Sequence, residues 1–293
     1  MHPVSAEGGA GPISFQVIAR SWSRRVALLT SDVNVFQALR YLECDPEIAG
    51  ASQDDVVVSV EPHGSCFRIV QEKVVLSEQR SAKDVTEFLH GHLVLLSLDD
   101  FPTTPLIHGA SLRREGHRIL LVGPKGAGKT TLTLRLIQEG YEFEGDENVF
   151  VTFEGVLARA RGIRIKKSTA TILPKLTELL SAAPYYENNL GDRIYNVDPR
   201  QAGASIWRIE MGPVEAVAIL RPNHGGKSSM RPVSSLALVQ EVLRETGLPE
   251  TERAAAIGAI AKVIGNARGF ELSLGDLAGA VDCINQVLED LAD

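Results

Sequence analysis

Gly123-Pro124-Lys125-Gly126-Ala127-Gly128-Lys129-Thr130 satisfies the pattern G-x-x-x-x-G-K-[ST] at every specified position. Glycines at these places let successive backbone N–H groups converge on an anion, and a helix beginning at the lysine adds its positive end. In such a loop Gly123, Pro124, Lys125, Gly126, Ala127, Gly128, Lys129, Thr130 and Thr131 surround nucleotide phosphates. Lys129 neutralises the β and γ phosphates, and the Thr130 hydroxyl is placed to hold Mg²⁺. A glycine-rich turn with a surface lysine is the bland alternative. The flanking sequence speaks against it: the apolar run Arg118 to Val122 enters the loop, and Leu132, Leu136 and Ile137 follow at helical spacing as far as Gly140.

A phosphate loop needs an acid for its metal. The best later strand, Glu215 to Leu220, ends in Arg221 and Pro222 instead. Asp146 and Glu147 stand 17 and 18 residues after Lys129, behind a helix and a short strand Tyr141 to Phe143. A ten-residue helix spans only about 15 Å, so a returning strand can bring the pair back beside the loop. One carboxylate can then receive a proton from an attacking hydroxyl while the other serves the metal. The competing reading makes both acids turn residues of a hairpin into Asn148 to Phe153. His108, 21 residues before Lys129, falls on a strand Leu106 to Leu112 that pairs with the one entering the loop. A lone strand histidine is more often structural.

Several elements must position these residues. Ile13, Phe15 and Val17 alternate, Val26 to Leu29 form a second strand, and Ser31 and Asp32 cap a helix carrying Val35, Leu39 and Leu42 that ends near Asp45-Pro46, because proline cannot continue it. Strand-like runs follow at Val56 to Val60, Phe67 to Val70 and Val74 to Leu76. Ser81-x-x-Asp84 then opens a helix with Val85, Phe88, Leu89, Leu93 and Leu96 on one stripe. The resulting division is an arm over 1–12, expected to be disordered, a small α+β unit with a bridging helix over 13–96, a linker over 97–105 and a phosphate-loop domain over 106–293. In the last, Ser234 to Arg244, Ala254 to Ile264 and Leu277 to Leu291 read as helices, the final one packed on the sheet in preference to forming a seam between copies. Arg159, Arg161, Arg164, Lys166 and Lys167 form a basic stretch in which Arg164 and Lys166 share a strand face. That face either meets a phosphate or peptide carboxylate or is a solvated edge. Arg208, Arg221 and Arg231 are candidates for stabilising a transferred phosphate.

Composition narrows the classes. Among 293 residues, 44% are hydrophobic and 23% charged, enough for a substantial core. The balance of 30 basic against 37 acidic residues, net −7, carries no electrostatic footprint for general nucleic-acid binding. No apolar run reaches 18 residues and no secretory leader opens the chain, so neither membrane insertion nor export is expected. Cys44, Cys66 and Cys283 lie far apart without a C-x-x-C pair, which points to a reducing cytoplasm.

Ile107-His108-Gly109-Ala110, then GPKGAGKTT, then Gly140-Tyr141-Glu142-Phe143-Glu144-Gly145-Asp146-Glu147 resemble the catalytic core of the HPr kinase/phosphorylase family. The resemblance covers roughly residues 105 to 153. It implies an α/β P-loop kinase core related to phosphoenolpyruvate carboxykinase, with a mixed sheet flanked by helices and ATP and Mg²⁺ as its requirements. It also implies Asp146 as the base for a substrate serine, Glu147 and Thr130 as metal partners, and His108 and Lys129 in the active site. Three departures stand out. Thr130 replaces the usual serine, Glu147 replaces aspartate, and no counterpart of the later loop associated with phosphorolysis is present, so reverse activity is not expected. These departures resemble a divergent branch that phosphorylates the C-terminal serine of lasso-peptide precursors. The acceptor implied is a serine or threonine of a peptide or small protein, and a homo-oligomer is compatible. A small-molecule kinase of the same fold and a nucleotide-sensing module without catalysis are the alternatives, because the loop recognises the donor and not the acceptor.

Overall fold

The computed structural model describes residues 15–22, 24–45, 47–48, 56–99, 101–187 and 191–292. The expected arm over 1–12 and the strand start at Ile13 lie outside the described residues. Strands β1 (Phe15–Arg20) and β2 (Arg25–Thr30) pair antiparallel. Asp32 caps α1 (Val33–Leu39), its Oδ1 accepting from the N–H groups of Asn34 at 2.8 Å and Val35 at 2.9 Å. The helix was expected to end near Asp45-Pro46; it stops at Leu39, and Arg40–Leu42 tighten into a 3-10 turn. After the short β3 (Glu47–Ile48) come β4 (Val56–His63), β5 (Cys66–Gln71) and β6 (Val74–Gln79), giving a sheet of order β1-β2-β4-β5-β6. The predicted capping box is present: Ser81 Oγ donates to Asp84 Oδ2 at 2.7 Å and accepts from the Asp84 N–H at 3.1 Å. It opens α2 (Ala82–Asp99), which runs three residues beyond the expected Leu96. Val85, Leu89, Leu93 and Leu96, at helical spacing, pack with Val17, Leu28, Val58 and Ile69 of the sheet into one apolar cluster.

The strand expected over Leu106 to Leu112 is in fact two. Strands β7 (Leu106–Ile107) and β8 (Gly109–Arg114) part at His108 and join different sheets. The His108 N–H donates to the Glu245 carbonyl at 2.8 Å, extending the pairing of Ile107 with Thr246 by one residue before the chain changes sheet. As predicted, β9 (His117–Val122) pairs with β8 and runs into the glycine loop, and α3 (Lys129–Gln138) follows it to Gly140, whose φ is +91°. Next come β10 (Glu142–Gly145), β11 (Val149–Thr152) and β12 (Gly155–Ala158). β10 and β11 do not form the hairpin of the competing reading. β10 pairs with β8, whereas β11 pairs with β12 and β7, so Asp146 and Glu147 lie in a crossover between sheets.

The chain continues through β13 (Ile163–Lys166), α4 (Lys167–Ile172), α5 (Leu176–Ala182), β14 (Tyr185–Glu187) and β15 (Arg193–Val197). β16 (Arg208–Ile209) pairs with β3 and so ties the N-terminal residues to this half. Strands β17 (Ala216–Pro222) and β18 (Ser229–Pro232), then α6 (Ser235–Arg244), β19 (Thr246–Gly247), α7 (Arg253–Gly265), β20 (Arg268–Leu274) and α8 (Leu277–Ala292) complete it. The main sheet has order β10-β8-β9-β17-β20-β18, in which β9, β17 and β20 pair parallel while β8 and β18 run against their neighbours. Ile119–Val122 and Ala216–Leu220 are buried without alternation, the pattern of strands covered on both faces. Helix α8 buries Val281, Ile284 and Leu288, packing on α3, β18 and β20 as anticipated. The α/β class with a mixed sheet flanked by helices is thus observed. Among the described residues no helix is long and apolar enough to cross a membrane, and the three cysteines are free.

One buried ion pair registers the strand that delivers the acids. Arg118 on β9 is 3% exposed and Glu144 on β10 is 2% exposed. The guanidinium donates twice, Nε to Oε2 at 2.7 Å and Nη2 to Oε1 at 2.8 Å, and Ser111 Oγ of the intervening β8 donates to Oε2 at 2.5 Å. The remaining donors of Arg118 reach the carbonyls of Pro213 and Glu210. Glu144→Ala leaves a buried cation without its partner and is expected to cost about 3–5 kcal/mol in urea unfolding. Arg118→Met with Glu144→Leu should recover most of that loss, since no charge is then left stranded.

Candidate active site

The glycine loop carries backbone angles that its sequence allows. Gly126 and Gly128 have φ of +86° and +94°, and Gly128 is the residue on which α3 begins. A Cβ on Gly128 would stand 2.7 Å from Leu274 Cδ2, so this glycine is also required for packing against β20. Lys125 is exposed, whereas Lys129 is 6% exposed and its Nζ donates to the carbonyls of Gly123 at 2.5 Å and Pro124 at 3.0 Å. Burial lowers the Lys129 pKa, opposed by the charges of Asp146, Glu245 and Glu147. Those three acids make the end of α3 a place where a cation and carboxylates already face one another.

Asp146 reaches this loop directly. Thr130 Oγ1 donates to its Oδ2 at 2.8 Å, and its Oδ1 accepts from the Glu147 N–H at 2.9 Å. Asp146 is 3% exposed, and burial raises its pKa despite the opposing Arg161 charge and the Thr130 hydrogen bond. Glu147 differs in every respect. Its φ of +80° is rare for a residue with a side chain and turns the chain sharply between the two acids. Its carboxylate, half-exposed, is ion-paired with Arg161 Nη1. Burial would raise its pKa, but Arg161, His108, His90 and Arg159 together outweigh burial and hold it below the usual value. Two adjacent carboxylates are therefore tuned in opposite directions.

His108 Nδ1 lies 3.2 Å from the Glu147 carbonyl oxygen, so the sheet change at His108 places an imidazole against the backbone of the second acid. Of the residues singled out in the sequence, the structure brings together Lys129, Thr130, Asp146, Glu147 and His108. The hydroxyl of Thr130 meets Asp146 and not Glu147. Arg208, Arg221 and Arg231 face carboxylates of their own surroundings: Glu210 for the first, Glu241 and Glu271 for the second, Glu271 for the third.

Arg159 and Arg161, named in the sequence only as part of a basic stretch, and His90 and Glu245, which the sequence does not single out, act on the acid pair or on Lys129. Gly145 and Gly162 explain how the arginine segment comes so near. A Cβ on Gly145 would stand 2.7 Å from Ala158 Cβ, and one on Gly162 would stand 2.0 Å from Asn196 Oδ1. Arg159 and Arg161 are 3% and 6% exposed. Their signal was available: Arg159 and Arg161 alternate with Ala158, Ala160 and Gly162 in a run that is otherwise without charge from Val156 to Ile163, where a buried charge would require a partner. Arg164, sharing a strand face with Lys166 as expected, lies with its guanidinium 3.7 Å from the Tyr41 ring centroid and donates to the Tyr41 carbonyl, while Lys166 is exposed.

No family model matches the chain, and no curated protein matches it. A search of solved structures finds the HPr(Ser) kinase/phosphatase from Coxiella burnetii at 10% identity, covering 64% of this chain and 99% of that one with a TM-score of 0.33. At that score the likeness carries no argument about activity.

His90 on α2 reports on the same charges from the N-terminal side. Burial first, then Arg164, Arg161 and Arg159, lower its pKa from 6.5 to about 4, against the opposing charge of Glu147, and its ring meets Tyr41 edge-on at 6.4 Å. The unfolded chain binds this proton below 6.5 and the folded protein only near 4, so stability falls as pH drops through that window. Asp146, with its raised value, works in the opposite sense, because the folded state holds its proton more tightly. Urea unfolding at pH 7 and pH 5 should therefore show the wild type losing more stability than His90→Gln.

Proposed function

We propose that the protein is an ATP- and Mg²⁺-dependent kinase that transfers the γ-phosphoryl group to a hydroxyl. The observation that carries this reading is the 2.8 Å contact between the Thr130 hydroxyl and Asp146, which joins a phosphate loop and an acid pair in one site. Residues Gly123 to Thr131 bind the nucleotide phosphates, with Lys129 exchanging loop carbonyls for phosphate oxygens. Magnesium suits the donors present. Among the described residues no three His, Cys, Asp or Glu side chains form a metal cluster, and a magnesium site needs only one or two carboxylates when phosphates and water complete it. Thr130 would hold the ion, with Glu147 as the carboxylate the resemblance implies once it leaves Arg161, and the ion would neutralise charge on the phosphates.

Asp146 is the proposed proton acceptor. The acceptor oxygen attacks the γ-phosphorus, the bond from that phosphorus to the β–γ bridging oxygen breaks, ADP departs, and the hydroxyl proton passes to the Asp146 carboxylate. A buried carboxyl with a raised pKa is a better base than an ordinary aspartate once ionised. His108 positions Glu147 through its backbone carbonyl. The acceptor proposed is a serine or threonine of a peptide or small protein, in first place the C-terminal serine of a lasso-peptide precursor, received between the unit over 13–96 and the phosphate-loop domain over 106–293. This assignment of the acceptor rests on the sequence resemblance.

Mass spectrometry after incubation with ATP, Mg²⁺ and serine-ended precursor peptides or small phosphocarrier proteins should show a gain of one phosphate. Asp146→Asn should lower transfer by about 10²–10⁴-fold while nucleotide affinity is kept. Lys129→Ala should instead weaken nucleotide binding, measured by calorimetry. Nucleotide binding with no acceptor modified in either panel would favour the sensing module. The kcat/KM profile should rise with pH as Asp146 ionises, and a rise that persists unchanged in Asp146→Asn would remove Asp146 as the base.

A further inference from the structure

Three guanidinium groups stand beside the acid pair, and one carboxylate answers them. Arg161 pairs with Glu147, and Arg164 is spent on the ring and carbonyl of Tyr41. Arg159 is 3% exposed, yet among the described residues its side chain makes no hydrogen bond or ion pair, and its Nε is buried without a partner. The Nε atoms of Arg161 and Arg164 are likewise buried and unpartnered. Asp146 spends its oxygens on Thr130 and the Glu147 N–H. Burial pushes the nearby Cys44 thiol up, so it supplies no anion. Burial lowers the Arg159 pKa only to about 10, which leaves it a cation at neutral pH. A buried cation without a counter-ion is costly enough that such sites are completed by a ligand or a partner.

The contacts also say on which side of the acids this charge lies. Thr130 touches Asp146, and Arg161 touches Glu147, so the acid pair stands between the phosphate loop and the arginines. The arginines sit where the two halves of the chain meet, with Arg164 donating to the Tyr41 carbonyl and Asn196 Nδ2 to the Glu43 carbonyl at 2.9 Å. Nucleotide phosphates have their own donors in the loop amides and Lys129. Resting on the kinase reading, we infer that Arg159 and Arg161, backed by Arg164, form an oxyanion subsite for the acceptor. The molecule phosphorylated here carries a carboxylate or phosphate of its own, held by these arginines while its hydroxyl faces Asp146.

The test is equilibrium binding to the full chain without nucleotide or Mg²⁺, so that it does not depend on turnover. N-acetylserine, N-acetylserinamide and inorganic phosphate are titrated into the wild type, Lys129→Ala, Arg159→Gln and Arg159→Lys. N-acetylserine should bind the wild type and Lys129→Ala alike, about tenfold or more tightly than its amide, and lose a similar factor in Arg159→Gln. Arg159→Lys should recover part of that loss, since it restores charge without the planar fork. Phosphate binding that survives Lys129→Ala and is lost in Arg159→Gln would assign the subsite to a phosphate-bearing acceptor. Equal binding of acid and amide, together with no Arg159-dependent phosphate binding, overturns the inference, and that comparison on the wild type needs no variant to fold. ADP affinity that falls in Arg159→Gln while N-acetylserine affinity holds also overturns it, because the arginines would then serve the nucleotide. Failure of the kinase reading is separately visible, as ADP affinity unchanged by Lys129→Ala.

Discussion

The bidentate pair between Arg118 and Glu144 holds the strand order on which the site depends. Glu144 lies two residues before Asp146, and its carboxylate is gripped by a side chain from β9, the strand that runs into the glycine loop. β8 lies between them and adds the Ser111 hydroxyl to the same carboxylate. With that charge pair buried, β10 has one register in which no ion is stranded, and the chain leaving β10 meets the first turn of α3. The distance between Thr130 and Asp146 follows from the pair as much as from either residue.

Within the site, neighbouring carboxylates in one dipeptide acquire different characters because the backbone reverses between them. The positive φ at Glu147 sends the second side chain toward Arg161 while the first stays against Thr130. Burial dominates Asp146 and favours its protonated form. Surrounding cations overcome burial at Glu147 and favour its charged form. This separation arises from one turn and from the cations gathered around Glu147, Arg161 first among them.

The N-terminal half contributes more than a covering layer. Its helix α2 brings His90 to the arginines, and the 3-10 turn after α1 brings the Tyr41 ring and carbonyl to Arg164. Trp22 stacks on Phe101 and meets Phe150 at centroid distances of 4.0 and 3.6 Å, so the seam is apolar on one side and cationic on the other. A charge group so placed is exposed to any rearrangement of the two halves, since each supplies part of its surroundings.

Local chemistry was readable without a fold. Eight consecutive residues define the glycine loop because backbone angles and donors act over a few ångströms, and the Ser81–Asp84 and Asp32 caps are legible for the same reason. Periodicity likewise gave the helices at Ser81, Ser234 and Leu277 and the strand pairing of β8 with β9. What the tertiary structure alone decided is which distant charges meet. The break at His108, the absence of a hairpin after Asp146, and the approach of Arg161 to Glu147 depend on pairings across separate sheets. Gly145 and Gly162 show the limit clearly: as letters they are unremarked glycines, and their need to be glycine exists only where Ala158 and Asn196 close on them. Burial and Coulomb energy are set by neighbours in space, so the opposed ionisation of Asp146 and Glu147 could not be read from two adjacent letters.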